Sequence, residues 1–110
     1  MKRFLSLSCA FAILASAASQ DRPARNYVPN SEAAVAIAEA VLIPVYGRKK
    51  IESERPFKAT LKDDIWTVGG TLYCSNGKPA TDKPPTCLGG VAVVEISRKD
   101  GRIISMVHYK

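Results

Sequence analysis

The chain is 110 residues long, 46% hydrophobic and 24% charged, with a formal net charge of +6 at pH 7. That length suits one domain with a modest core. One histidine and three cysteines leave little material for acid–base or metal chemistry.

The chain opens as an export leader. Lys2 and Arg3 supply the positive end, Phe4 to Leu14 form a short apolar run, and Ala15-Ser16-Ala17 offers small residues at a cleavage site. The run is too short to span a bilayer, which takes roughly 20 residues. Residues 1–17 are therefore expected to be a signal peptide, with cleavage after Ala17 or, as second choice, after Ala18. Ser6 stands where a lipoprotein signal usually has Leu, so Cys9 is not read as a lipidation site. No other stretch is apolar enough for a transmembrane span, and a periplasmic or secreted protein without stable membrane insertion is expected. Loss of Lys2 and Arg3 leaves 14 of the 16 basic residues against 10 acidic ones, a net charge of +4.

Residues 18–29 are polar, contain Pro23 and Pro29, and read as a flexible lead-in to a domain over 30–110. Asn30 or Ser31 can cap a helix, with Glu32 favourably placed in its first turn. Ala34, Ile37, Ala38, Val41, Leu42 and Val45 then fall on one helical stripe, with Glu32 and Glu39 outside it toward solvent. Pro44 predicts a kink or an end near Ile43, and Gly47 suits termination. A charged connector follows. Phe57, Ala59 and Leu61 alternate with Lys58, Thr60 and Lys62, the period of a strand with one wet face. Asp63-Asp64 turns the chain.

Ile65 to Cys74 reads as a longer strand with Trp66, Val68, Gly70, Leu72 and Cys74 on one side. Gly69-Gly70 predicts a bulge or bend in its middle. Ser75 to Leu88 is a loop, punctuated by Asn76-Gly77, Pro79 and Pro84-Pro85. Val91 to Ser97 and Ile103 to Lys110 flank Asp100-Gly101, a hairpin signal because Gly accepts the positive φ of the reversal. One helix followed by four antiparallel strands is an α+β layout, with the helical stripe packed on one sheet face.

Few of these residues can carry chemistry. Once the leader is gone, Cys74 and Cys87 form an even pair, most simply a disulfide in an oxidising compartment. Two thiols without a neighbouring His do not complete a zinc site, and the spacing is not that of a redox C-x-x-C pair. His108 has no nominated partner and reads as a surface or half-buried strand residue. Asp63-Asp64 reads as a turn rather than a catalytic carboxylate pair. Gly69-Gly70 and Gly89-Gly90 lack the context of a phosphate loop. Arg48-Lys49-Lys50 and Arg98-Lys99 read as solvated clusters, so no nucleic-acid partner is expected. No catalytic residue, metal site or cofactor is implied. Trp66 is assigned to the core, whereas Tyr73 lies on the opposite face and suits an interface.

Four segments in order resemble the immunity proteins of bacteria that share the nuclear transport factor 2 fold. They are Ala34 to Gly47, Arg55 to Leu61, Trp66 to Leu72, and Gly89 through Asp100-Gly101-Arg102-Ile103-Ile104. The resemblance covers the chain from about residue 30 to its end and implies a compact, cystatin-like helix-on-sheet fold. It also implies a binding role, not an enzymatic one: neutralisation of a polymorphic toxin by direct contact. The Cys74–Cys87 loop reads as an insertion between the second and third strands. Long connections held by a rigid scaffold often carry recognition, so Tyr73, Lys78, Asp82 and Lys83 are the candidate partner contacts. The alternative reading is a periplasmic inhibitor or small-ligand binder on the same scaffold.

Overall fold

The computed structural model describes residues 25–81 and 87–110. The leader, Cys9, Asp82, Lys83 and Pro84-Pro85 lie outside the described residues. The order of elements is α1 (Ser31–Tyr46), α2 (Arg48–Ser53), β1 (Lys58–Lys62), β2 (Ile65–Gly69), β3 (Ala92–Ser97) and β4 (Ile103–His108). The strands form one antiparallel sheet in the order β1-β2-β3-β4, and α1 packs across one face. This is the expected α+β architecture of a nuclear transport factor 2-like fold.

Asn30 caps α1 by accepting the Ala33 N–H at 2.8 Å, satisfying one of the unpaired donors of the first turn. The stripe is centred on Ala34, Ala38 and Leu42, all buried, with Ile37 and Val41 packed alongside. Two expectations fail here. The helix runs through Pro44 to Tyr46, and Val45 is 57% exposed. Ala40 and Pro44 both face outward, so the carbonyl that Pro44 cannot bond meets water and the helix continues. Gly47, at φ 96°, ends it by donating to the Ile43 carbonyl at 2.8 Å. Nor is the connector irregular: it holds α2, whose single buried residue is Ile51.

Asp63 and Asp64, at φ 50° and 61°, form a two-residue turn that pairs Lys62 with Ile65. Both residues in the left-handed region give a reversal whose twist matches the strands it joins. The β3–β4 connection is longer. Gly101 N–H bonds the Ser97 carbonyl at 2.9 Å and Ser97 N–H bonds the Arg102 carbonyl at 2.9 Å, with a register shift at Glu95/Ile96.

The covered sheet face carries Trp66, Val68, Ala92, Val94 and Ile96, which form the core with the α1 stripe, Ile51 and Phe57. Val28 belongs to that core too, which corrects the flexible lead-in for its last residues. Tyr27 and Val28 donate to the carbonyls of Lys99 and Arg98 at 3.1 and 3.0 Å, and the Val28 carbonyl accepts the buried Trp66 Nε1–H at 2.9 Å. An indole N–H shut in a core needs such a partner. Asp64 reinforces this end of the sheet through ion pairs with Arg98 and Lys99.

Candidate partner-binding site

At the other end of the sheet, β2 stops at Gly69, well short of the Cys74 limit expected from alternation. Gly70 N–H still reaches the Ala92 carbonyl at 3.0 Å, but Thr71 N–H turns away to the Glu54 carbonyl at 2.7 Å. The side chains follow: Thr71 Oγ1 donates to the Pro56 carbonyl and Tyr73 Oη to the Arg55 carbonyl, each at 2.6 Å. Three successive carbonyls at the α2–β1 junction therefore hold the segment that leads into the loop. The junction is itself tied to α1, since Arg55 makes a two-pronged contact with Glu39 at 2.8 and 3.1 Å. That hydrogen bond, first among the causes, raises the Arg55 pKa above its ordinary value. Glu39, expected toward solvent, is thus engaged.

Beyond Tyr73 the loop contains more regularity than its glycine and prolines suggest. Cys74 N–H bonds the Lys78 carbonyl and Gly77 N–H bonds the Cys74 carbonyl, both at 2.9 Å, while Ala80 N–H returns to the Leu72 carbonyl at 2.8 Å. Asn76 Oδ1 accepts Lys78 N–H at 2.9 Å, and Tyr73 pairs with Pro79 in an isolated bridge. This small reversal is closed by the Cys74–Cys87 disulfide, with Cα atoms 5.5 Å apart. The disulfide is as expected.

The candidate contacts divide accordingly. Lys78 is exposed at the tip of the reversal. Tyr73 is 40% exposed while its hydroxyl is committed to the junction. Leu88, just past the bridge, is 97% exposed; no periodicity marks it, because it lies between elements.

Sequence reasoning missed the group that holds this end together. Glu54, which caps the C-terminus of α2, is 7% exposed. Its Oε1 accepts the Ala92 N–H at 2.7 Å, and its Oε2 lies 3.0 Å from His108 Nε2. A carboxylate only accepts, so Nε2 carries the hydrogen. His108 also meets the Tyr46 ring, centroids 5.3 Å apart at 51°. Two glycines make room. A Cβ at residue 70 would sit 3.0 Å from Glu54 Cβ, and one at residue 90 only 2.2 Å from the Tyr109 carbonyl oxygen. The separation of 54 positions from Glu54 to His108 left no local signal of this contact.

Both Glu54 oxygens are spent on fixed partners, so the pair works as a structural tie between α2, β3 and β4. A shallow cleft of 520 Å³ opens beside it, lined by Tyr46, Lys50, Gly89, Gly90, His108 and Lys110 among others. Among the described residues, no group of three or more His, Cys, Asp or Glu side chains is placed to hold a metal ion. Among them, too, no helix is long and apolar enough to cross a membrane.

Comparison with known proteins places this architecture. The family model described as NTF2 fold immunity protein matches residues 33–110. Two curated Escherichia coli (strain K12) proteins are similar over 86 residues, or 78% of this chain. The uncharacterized protein YhhH is 33% identical with 60% of its length covered. The uncharacterized protein YbbC is 29% identical with 62% covered. The chain thus spans about three fifths of the length of these relatives. No solved structure matches it.

Proposed function

Because the chain belongs to the NTF2 fold immunity protein family, we propose that it neutralises a protein toxin by binding it directly. The family match over 33–110 is the observation that carries this reading. The geometry supports binding over turnover: the Glu54–His108 contact is structural, while the disulfide-closed loop presents Lys78, and Leu88 stands exposed just past the bridge. A rigidly held contact surface loses little entropy on association.

Export is part of the proposal. The order of basic, apolar and small residues across 2–17 supports it, and an exported copy acts on a toxin in the envelope. The test is a pull-down with oxidised, tagged protein lacking residues 1–17, from envelope and secreted fractions of its host, read by mass spectrometry. A stoichiometric toxin, with host growth restored when the two are co-expressed, is the expected result. Lys78→Glu combined with Leu88→Ser should weaken capture without unfolding the chain. Recovery of an envelope hydrolase instead, or saturable binding of a small molecule, would replace this reading with an inhibitor or ligand carrier.

A further inference from the structure

The sheet has two edges among the described residues, and they are unlike. The β1 edge carries Lys58 and Lys62, the kind of charge that discourages another strand from pairing. The β4 edge has no such guard. Ile103 to Val107 contains neither charge nor proline, and Ile103, Ile104 and Val107 are 37%, 41% and 39% exposed. Tyr109 N–H bonds the Val91 carbonyl at 3.1 Å. Antiparallel alternation from that bond turns the main-chain groups of Met106 and His108 outward, away from β3. A run of this length with free outward donors and acceptors is a template for strand addition.

Charge identifies the occupant. Residues 101–110 contain no Asp or Glu, and Arg102 and Lys110 bracket the strand. At the His108 end lies the 520 Å³ cleft with Lys50 and Lys110 on its wall, and among the described residues neither lysine is joined to an acid. A second copy fits poorly. Antiparallel pairing centred on Met106 brings Arg102 of one copy to the Lys110 end of the other, and opposed like charges destabilise a ladder. We infer that β4 receives an extended segment of a partner protein as a fifth, antiparallel strand, with an acidic residue of that segment seated between Lys50 and Lys110. This rests on the immunity reading in one respect: the toxin is the protein that supplies the strand.

The experiment separates the two. Isotopically labelled, oxidised protein is titrated with a short peptide of alternating valine and threonine with glutamate at both ends, and amide exchange is followed by NMR. Exchange at Met106 and His108 should slow by about tenfold or more. The same peptide N-methylated at alternate backbone positions should give no protection, and lysine in place of glutamate should bind several-fold more weakly. Lys50→Glu should reduce binding of the glutamate peptide to a similar extent. Unchanged exchange, equal protection by the N-methylated peptide, or protection that appears without peptide as protein concentration rises would each overturn the proposal. Capture of a toxin that leaves these two amides exchanging freely would overturn it as well, with the immunity reading intact. A responsive edge in a chain that captures no toxin would instead sink the immunity reading alone.

Discussion

Glu54 and His108, 54 positions apart in the chain, are joined at 3.0 Å, and the same carboxylate holds the Ala92 N–H at 2.7 Å. One side chain thereby connects the short helix α2 to both strands of the C-terminal hairpin. Removing it leaves a buried N–H and an imidazole without their acceptor, which costs more than the net value of the bonds themselves. Glu54→Ala should lower unfolding free energy by about 2–3 kcal/mol in urea titrations. Glu54→Gln keeps an acceptor for Ala92 and should cost about half as much. Equal stability of the alanine variant and the parent would show that the contact does not hold this end of the sheet.

Gly90 is the position at this end least able to accept a side chain. A methyl group there would collide with the Tyr109 carbonyl, a backbone atom with no freedom to swing aside. Gly90→Ala should therefore cost about 2 kcal/mol or more and speed amide exchange across residues 106–110. A silent substitution in thermal melts would contradict the close approach of these two segments.

The disulfide lies outside the four strands, so its loss should leave them paired. The chain-entropy model attributes about 3 kcal/mol to closing a loop of this size. Cys74→Ser with Cys87→Ser should lower Tm by roughly 10–20 °C with an unchanged far-UV circular dichroism spectrum. Collapse of the spectrum at ordinary temperature would mean that the bridge is needed to form the sheet.

Acid should weaken the β3–β4 turn. Arg102 N–H donates to Asp100 Oδ1 at 2.9 Å. With that bond first and a bond from Ser97 second, the Asp100 pKa is lowered below the usual aspartate value. A depressed folded-state value adds stability that is present above the unfolded aspartate pKa of about 3.9. It is lost as pH falls through the folded value. The Tm difference between parent and Asp100→Asn should thus be largest near neutrality and shrink below about pH 4. A difference that stays constant to pH 3 would remove Asp100 as the cause.

How much of this was legible in the sequence follows the range of each interaction. The α1 stripe, the Asp63-Asp64 turn and the β3–β4 hairpin depend on neighbours in the chain, and their periodicity and turn chemistry were readable. The α2 helix was hidden because one buried Ile51 among charges sets no period. Val28 was invisible for a similar reason: its place in the core depends on Arg98 and Trp66, far along the chain. β2 ends early because Thr71 finds acceptors at Glu54 and Pro56, a competition that no alternation pattern in 65–74 records. In the candidate site, the cysteine pairing was readable from parity, whereas the Glu54–His108 contact needed the fold. Lys78 was picked by loop position and Tyr73 as an outward aromatic of the expected strand, and neither ground gave a hint that the tyrosine hydroxyl serves the scaffold.

The grip on the carbonyls of Glu54, Arg55 and Pro56 uses acceptors that every residue type possesses. The loop's attachment at these three positions is therefore indifferent to which side chains the receiving segment carries. With the bridge sealing the far end, exposed side chains inside the ring, such as that of Lys78, can change without disturbing this footing. That division separates the outward surface of the loop from the mounting that carries it.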